Sequence, residues 1–359
     1  MESEWGKTIL IFFISTFTTI LLIPLVNKIG LIFNILDIPE KRKQHKKPIV
    51  RIGGIAIIIS FLVSFIFIKN ILVLDIETIE GSFNSIFIIL ISSFFTLGLI
   101  DDIVHLSAMK RLIIQFLIAS LAFFIGINIG TIDLQLFNTN LIINFPLFIK
   151  FLITIVWLTG ITNAINWLDG LDGLASGITI IIALTISLIA FENNYISISL
   201  LSIALAGSNL GFLIFNYYPS KILMGDCGSY FSGFTIASLS LMSTKIVDSS
   251  SNIFSFDTKF LITFFILALP ILDMLKVILQ RLSNNKSPFY PDRNHLHYLL
   301  IDSGLNHKTS VNMMYIICLF SCSLGLFFHD QKYWSLSLIF SVILILFLII
   351  FTKKIKKLN

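Results

Sequence analysis

Long apolar runs alternate with short polar stretches along the whole chain. Most runs approach the length of about 18–20 residues at which an apolar helix crosses the hydrocarbon of a membrane. Eleven runs can be drawn, at roughly 8–26, 52–69, 84–100, 111–128, 148–163, 174–191, 196–215, 229–244, 258–279, 312–328 and 333–352. The pattern predicts an all-α polytopic membrane protein with about eleven transmembrane helices.

Composition supports this fold class. Of the 359 residues, 56% are hydrophobic and 13% are charged, and a soluble domain of this size cannot bury so much apolar surface. No soluble domain, low-complexity tract or repeat is visible, so one integral-membrane domain is expected over residues 1–359.

The first run lacks a positive n-region and a cleavage site, which argues against a removed signal peptide. Cys227, Cys318 and Cys322 fit no metal spacing and are expected to be small core residues.

Basic residues predict the orientation of the chain. With eleven spans, 19 of the 25 Lys and Arg residues fall on one side. Because cytoplasmic loops carry an excess of Lys and Arg, the N-terminus is expected outside and the C-terminus in the cytoplasm. The cytoplasmic loops are then 27–51, 101–111, 163–173, 216–229 and 280–311. An alternating pattern in "TIDLQLFN" predicts a short external β-hairpin near 131–144.

Aspartates collect at the cytoplasmic ends of the predicted spans. An unpaired carboxylate within the hydrocarbon costs roughly 2.5–3.5 kcal/mol, so this repeated placement needs a common cause. The stretch "GLIDD" ends the third span with Asp101 and Asp102, whose adjacent charges repel unless a cation separates them. The simpler interpretation is two solvated loop residues, and the functional one is a divalent metal site or a general base. Lys110 and Arg111 follow in the chain and could bind phosphate.

The stretch "NAINWLDGLDGLASG" ends the fifth span with a polar residue at every third position, at Asn163, Asn166, Asp169 and Asp172. Residues three apart share one face of a helix, so the two carboxylates can point together with an amide one turn back. A helix cap followed by a turn is the simpler interpretation. Two Asp-Gly pairs in tandem fit it poorly, and oxygen ligands of this kind suit Mg²⁺ with substrate phosphates.

Two further aspartates lie near later span ends. In "MGDCGSYFSG", small residues surround Asp226 at a helix start, which is either a simple cap or an anion site. In "PILDML", Asp273 could pair with Lys276 at i+3, and structural and functional interpretations are equally favoured. An intramembrane aspartyl protease is disfavoured, because that class pairs two aspartates inside neighbouring spans.

Two cytoplasmic loops carry basic side chains suited to phosphate. In "SPFYPDRNHLHYLL", Arg293 offers a planar fork, and the spacing of His295 and His297 disfavours a paired-histidine zinc helix. In "DIPEKRKQHKKPIVRIGG", the usual excess of positive charge at the cytoplasmic membrane surface explains about half of the basic character of the loop. His45 and Arg51, before a glycine pair, look more specific and could bind an anionic substrate.

These five motifs, in this order and with eleven spans, resemble the polyprenyl-phosphate N-acetylhexosamine-1-phosphate transferases, the glycosyltransferase family 4 group that includes the phospho-N-acetylmuramoyl-pentapeptide transferases. The resemblance covers essentially the whole chain. It implies Mg²⁺-dependent transfer of sugar-1-phosphate from a UDP-N-acetylhexosamine to undecaprenyl phosphate, with release of UMP, and Mn²⁺ as a substitute metal. It also implies a bacterial inner (plasma) membrane location with the active site on the cytoplasmic face, and no nucleic-acid partner. A homodimer is compatible with it.

The resemblance also implies roles for individual residues. Asp101 and Asp102 resemble the catalytic pair, with Asp101 as the base that deprotonates the lipid phosphate. Asn166 and Asp226 resemble the Mg²⁺ ligands, with Asp102 as a third candidate. The remaining residues that would line the pocket or contact phosphate are Asn163, Asp169, Asp172, Arg293, His295 and His297. Relatives often continue the loop as His-x-His-His, whereas this chain has Tyr298 in the last place, which leaves only His295 and His297. The His-Leu-His loop resembles the members that start O-antigen, enterobacterial common antigen or teichoic acid more than those that make the peptidoglycan lipid.

Other functions remain as alternatives. A secondary transporter also uses membrane carboxylates, although here they gather at one face and no repeat symmetry is visible. The lipid I-forming transferase of peptidoglycan synthesis is an alternative within the same family. A catalytically inactive scaffold of envelope assembly is disfavoured by the intact motifs. The identity of the sugar depends on loop contacts that the sequence does not specify.

Overall fold

The computed structural model describes residues 2–38, 47–71, 81–129, 132–136, 139–143, 145–244 and 258–355. Within these ranges the chain forms thirteen α-helices and two short antiparallel strand pairs. The helices are α1 (Glu2–Ile32), α2 (Gly54–Ile71), α3 (Gly81–Val104), α4 (Ala108–Phe124), α5 (Leu147–Leu168), α6 (Leu174–Glu192), α7 (Ile196–Asn216), α8 (Gly225–Thr244), α9 (Thr258–Ile266), α10 (Ala268–Ser283), α11 (Leu296–Asp302), α12 (His307–His329) and α13 (Trp334–Ile355). The chain is therefore a mainly helical protein.

Each apolar run of the sequence overlaps a helix, with two differences. The ninth run is divided into α9 and α10 at Leu267, and Pro270 lies in the first turn of α10, where a proline needs no backbone donor. The short helix α11 lies in the histidine-containing loop, for which no helix was expected.

Six of the described helices are long and apolar enough to cross a membrane: α1, α3, α5, α6, α7 and α12. The outer side of α1 exposes large apolar side chains, including Phe17, Leu21 and Leu25, which suits contact with lipid rather than water. The chain is a multi-pass membrane protein. The total of eleven spans and the orientation stay predictions.

Helix α8 lies inside the bundle and packs against α2, α3, α5 and α6. The rings of Phe94 on α3 and Phe234 on α8 stack with centroids 4.1 Å apart, and Phe61 on α2 meets Phe231 edge-on at 5.4 Å. Helices α6 and α7 are also largely buried. This central position lets the N-terminal end of α8 meet the ends of several surrounding helices.

The predicted hairpin near residues 131–144 is confirmed. Strand β3 (Ile132–Leu136) pairs antiparallel with β4 (Thr139–Ile143), so that Ile132 lies opposite Ile143. A second pair, β1 (Leu36–Asp37) with β2 (Ile49–Val50), was not expected. The cysteines are free and buried, as predicted for small core residues.

Candidate active site at the carboxylate cluster

Four chain segments bring the sequence-predicted carboxylates together at one end of the bundle. The stretch before α2 is fixed to the stretch before α8, because Gly53 and Gly54 donate backbone hydrogen bonds to the carbonyls of Leu223 and Met224 at 2.9 Å. The C-terminal ends of α3 and α5 approach the same place. The cluster consists of Arg51, Asp101, Asp102, Asn166, Asp169 and Asp226, and we call it the carboxylate cluster.

Asp102 receives three hydrogen bonds and is fully enclosed. Its Oδ1 accepts from the backbone N–H of Asp226 and from Nε of Arg51, and its Oδ2 accepts from the backbone N–H of Cys227, all at 2.9 Å. The two backbone donors belong to the first turn of α8, whose N–H groups have no partner within the helix. Asp102 therefore caps α8 from a neighbouring helix.

Gly225 begins α8 in a conformation that a side chain would disturb. Its φ is +73°, in the left-handed region that favours glycine. A Cβ atom there would lie 2.0 Å from the carbonyl oxygen of Arg51 and 2.6 Å from Oδ2 of Asp102. The glycine before Asp226 thus permits the close approach of α8 to the other two segments.

Arg51 bridges two carboxylates from different helices. Besides its bond to Asp102, its Nη2 donates to Oδ2 of Asp226 at 2.9 Å, while Asp37 lies farther away at 4.0 Å. The Arg51 side chain keeps about a quarter of its surface exposed. One guanidinium thus reduces the repulsion between Asp102 and Asp226.

Asp226 and Asn166 are in direct contact. The amide Nδ2 of Asn166 donates to Oδ1 of Asp226 at 2.6 Å and to Oγ of Ser229 at 2.9 Å. Among the described residues no group of three His, Cys, Asp or Glu side chains has the arrangement of a metal cage. A carboxylate and an amide carbonyl are nevertheless hard oxygen donors, and Mg²⁺ is usually held by one or two carboxylates with water and substrate phosphate. The donor set therefore fits Mg²⁺.

Asp101 points to a different set of partners from its neighbour Asp102. Its Oδ1 accepts the backbone N–H of Leu106 at 2.8 Å, and its Oδ2 accepts from Nη1 of Arg111 at 2.8 Å. The hydroxyl of Tyr230 lies 3.4 Å from both that carboxylate oxygen and that guanidinium nitrogen. The sequence interpretation did not single out Tyr230, although it is the one large polar side chain in the small-residue motif that opens α8.

The two aspartates of "NWLDGLDG" have different surroundings. Asp169 interacts with the carboxylate cluster, and burial together with the negative charges of Asp226 and Asp102 raises its pKa well above the usual value. Asp172 accepts the backbone N–H of Ser220 through Oδ2 at 3.0 Å. The charges of the cluster thus act on Asp169, whereas Asp172 fastens the turn to the segment between α7 and α8.

The histidine loop reaches the end of α5. Trp167 on α5 meets the ring of His295 with centroids 5.5 Å apart, and the rings of His295 and His297 stack at the same separation. His297 is fully buried, and among the residues that the structure describes neither ring nitrogen has a hydrogen-bond partner. Burial and the nearby His295 lower the pKa of His297 to about 3, so that its ring is neutral near pH 7.

The suggested pairing of Asp273 with Lys276 does not occur. Asp273 contacts His295 instead, and Lys276 donates to the backbone carbonyl of Asn294 at 3.1 Å. The i+3 spacing places the two side chains near each other, but the adjacent loop offers Asp273 better donors.

Several predicted binding residues lie outside the carboxylate cluster. Arg293 is exposed and pairs with Asp302 at 3.2 Å, and Lys110 is exposed on α4. Asn163 donates to Gln115 at 2.6 Å. Gln115 was not singled out, although it is a lone amide in an apolar run. His45 lies outside the described residues.

An open groove lies on the apolar surface between α4 and α5. It has a volume of about 410 Å³ and is lined by Leu112, Ile113, Phe116 and Leu117 of α4 with Thr159 of α5. The groove is thus an open apolar cleft formed mainly by α4.

Comparison with known proteins identifies the family. The model of glycosyl transferase family 4 matches residues 84–244. A probable undecaprenyl-phosphate N-acetylglucosaminyl 1-phosphate transferase of Bacillus subtilis (strain 168) is 33% identical over 353 residues, 97% of this chain and 92% of the relative. The chain belongs to glycosyl transferase family 4.

Two further relatives show the breadth of the family. A decaprenyl-phosphate N-acetylglucosaminephosphotransferase of Mycobacterium leprae (strain TN) is 28% identical over 322 residues, 85% of this chain and 81% of the relative. A phospho-N-acetylmuramoyl-pentapeptide-transferase of Halalkalibacterium halodurans is 33% identical over 248 residues, 66% of this chain and 74% of the relative. The family resemblance that the motifs suggested is therefore confirmed.

Proposed function

We propose that this protein transfers N-acetylglucosamine-1-phosphate from UDP-N-acetylglucosamine to undecaprenyl phosphate and releases UMP. The observation that carries the proposal is the gathering of four aspartates, one asparagine and two arginines at the ends of α3, α5 and α8. Of the relatives that match most of the chain, that of Bacillus subtilis is named for undecaprenyl phosphate and N-acetylglucosaminyl 1-phosphate, and that of Mycobacterium leprae for decaprenyl phosphate and N-acetylglucosamine phosphate. The reaction would be a first membrane step of cell-envelope polymer synthesis, such as teichoic acid or O-antigen.

The groove between α4 and α5 suits the acceptor lipid. Its lining is apolar except for Thr159, and it lies on the surface that would face lipid. We propose that Arg111, which precedes the groove residues on α4, binds the phosphate of undecaprenyl phosphate while the isoprenoid chain occupies the groove. Asp101 bonds to that same guanidinium, which would place it beside the lipid phosphate, and we keep it as the proposed base that takes the proton from that phosphate.

Asn166 and Asp226 would hold the Mg²⁺ ion, and Mn²⁺ offers the same preference for oxygen ligands. A bound ion would supply positive charge that offsets the charge on the phosphate oxygens during transfer. Asp169 would line the nucleotide-sugar pocket beside them. We assign Asp102 a positioning role, because its oxygens already accept three hydrogen bonds that fix Arg51 and the start of α8.

The remaining loop residues would contact the nucleotide sugar. His295 adjoins the end of α5 through Trp167, and the guanidinium of Arg293 lies over the ring of Tyr298 at 5.1 Å. The excess of Lys and Arg in the loops at this end favours a cytoplasmic active site in the bacterial inner membrane. The carboxylates lie at helix ends, whereas a transporter is expected to carry them near the bilayer midplane.

The lipid I-forming reaction is the second candidate. It is favoured by the match to a phospho-N-acetylmuramoyl-pentapeptide-transferase over 66% of the chain. The two candidates differ in the sugar nucleotide that is used, because the lipid acceptor is the same.

The test is an assay of purified protein in detergent with undecaprenyl phosphate, Mg²⁺ and one sugar nucleotide at a time. We expect UMP release with UDP-N-acetylglucosamine and none with UDP-N-acetylmuramoyl-pentapeptide. EDTA is expected to stop the reaction, and added Mg²⁺ or Mn²⁺ to restore it. Absence of UMP release with every UDP-sugar would refute the proposed reaction.

The Asp226→Asn variant tests the site itself. Loss of several kcal/mol of charge stabilisation predicts a fall in turnover of at least about 100-fold, with the folded yield retained. Asp330→Asn, at the opposite end of the bundle, is the matched control and is expected to keep full activity. Wild-type turnover in Asp226→Asn would refute the metal assignment.

A further inference from the structure

The imidazole of His295 is held by a carboxylate from another helix. Asp273 of α10 places its Oδ2 2.8 Å from Nδ1 of His295, and its Oδ1 accepts the backbone N–H of Leu296 at 2.7 Å. Both side chains are almost fully buried, with 5% of Asp273 and 6% of His295 exposed. The two short bonds in a water-poor site fix the ring in one orientation.

The start of α11 explains why the carboxylate is needed there. His295 occupies the cap position of α11, but its own side chain does not bond to the first turn. The N–H of Leu296 would lack an intrahelical acceptor, and Asp273 provides it. One carboxylate thus satisfies both the helix start and the histidine ring.

This arrangement determines which ring nitrogen carries the proton. A carboxylate can only accept hydrogen bonds, so the proton of His295 must lie on Nδ1 where it faces Asp273. Nε2 is then the nitrogen left for another partner. The ring lies against Trp167 of α5, and Trp167 directly follows the proposed metal ligand Asn166 in the chain.

We propose that Asp273 is a positioning residue of the transfer reaction, which fixes the tautomer and orientation of His295 so that Nε2 is presented to the nucleotide sugar. The proposal rests on the proposed function, because His295 has a substrate only if the chain binds a UDP-sugar. No covalent or proton-transfer step is assigned to either residue. Asp273 acts through the histidine and does not touch the substrate.

Asp273→Asn tests the proposal directly because its two neighbours allow only one orientation of the new side-chain amide. The Leu296 N–H can only donate, so the amide oxygen must face it and the NH₂ group must face Nδ1 of His295. Nδ1 then has to accept, and the ring proton moves to Nε2. The variant keeps the shape and both contacts but reverses the histidine tautomer.

The kinetic arm compares Asp273→Asn in two backgrounds. Partners that orient an active-site histidine typically contribute about 10–100-fold, so we expect kcat/KM for the UDP-sugar to fall at least tenfold, with the KM for undecaprenyl phosphate unchanged. In a His295→Phe background the same change is expected to alter kcat/KM less than twofold. An equal loss in both backgrounds, or no loss in the first, would overturn the proposal. Asp330→Asn serves as the unaffected carboxylate control.

The spectroscopic arm does not depend on turnover. Proteins labelled with ¹⁵N-histidine are compared by NMR, and His295→Phe identifies the signal of His295. We expect the proton on Nδ1 in the wild type and on Nε2 in Asp273→Asn. A proton on Nε2 in the wild type, or the same tautomer in both proteins, contradicts the inference. A wild type that shows the expected tautomer but no UMP release would instead refute the proposed function.

Discussion

Arg51 and Asp226 form a 2.9 Å ion pair between the stretch that precedes α2 and the first turn of α8. The same guanidinium donates through Nε to Asp102 at the end of α3. One cation therefore bridges two carboxylates that belong to separate helices, and it joins three segments at the carboxylate cluster. Its two bonds make Arg51 a structural centre of the site as well as a candidate contact for phosphate.

Replacing Arg51 with alanine is expected to destabilise the folded protein. Removing one partner of a buried ion pair costs about 3–5 kcal/mol, and the partial exposure of Arg51 places the expected loss near the lower end, about 3 kcal/mol. Unfolding in detergent, without Mg²⁺, measures the difference. Arg293→Ala is the matched control, because Arg293 and Asp302 are both exposed and such a pair contributes under about 1 kcal/mol. Equal stability of the two variants would show that Arg51 does not hold the cluster together.

Alanine at Gly98 is expected to disturb the cluster without changing its charges. A Cβ atom on Gly98 would lie 2.3 Å from the backbone carbonyl oxygen of Asp226, so α3 and α8 would have to separate. Overpacking of this kind typically costs about 1–3 kcal/mol, and we expect UMP release to fall at least about tenfold as Asp226 shifts.

The control for this change is Gly160→Ala in the middle of α5. The nearest atom to its added Cβ is the Met274 methyl group at 3.6 Å, an ordinary contact. Alanine also favours a helix by roughly 0.5–1 kcal/mol over glycine. The free energy of unfolding of Gly160→Ala is expected to stay the same or increase, and its UMP release is expected to match that of the wild type. Equal activity of the Gly98 and Gly160 variants would contradict the close approach of α3 to α8.

Burial of neutral His297 predicts a loss of stability in acid. Its pKa is about 3 in the folded protein and 6.5 ordinarily, so below pH 6.5 the unfolded chain binds the proton that the folded chain does not. Stability from this residue is complete above pH 6.5 and falls as the pH drops toward 3. The slope is at most about 1.4 kcal/mol per pH unit, or roughly 2 kcal/mol between pH 6.5 and 5.

The measurement compares the wild type with His297→Gln, which cannot titrate in this range. Asp169 has a raised pKa and contributes a pH dependence of opposite sign, so the difference between the two proteins isolates His297. Unfolding free energies are determined in detergent at pH 7.5, 6.5, 5.5 and 5. We expect the wild type to lose more stability than the variant on acidification. Parallel curves would mean that His297 is not buried in neutral form.

The sequence predicted the helices well because each depends mainly on its own residues. An apolar run of membrane length forms a helix whatever its neighbours are, since its backbone must be satisfied within the segment. The split of the ninth run and the extra helix α11 were not predicted, because they depend on local turns around Leu267 and His295. The hairpin near residues 131–144 was found from its alternation, which is also a local signal.

The sequence also identified most residues of the carboxylate cluster, since charged groups at span ends are costly and therefore conspicuous. It did not distinguish Asp169 from Asp172, although they share the same Asp-Gly surroundings. Their difference comes from Asp226 and Ser220, which lie more than forty residues farther along the chain. Tyr230, Gln115 and the pairing of Asp273 with His295 escaped prediction because each depends on a partner in another helix.

By itself the sequence determined that this chain is a mainly helical membrane protein of glycosyl transferase family 4 with a group of acidic motifs. Apolar length and motif order are properties of neighbouring residues, so they can be read without a fold. Only the tertiary structure decided that Asp102 caps α8, that Arg51 bridges it to Asp226, and that His297 is fully buried. Hydrogen bonds and burial depend on distances between helices, and packing of the whole bundle sets those distances.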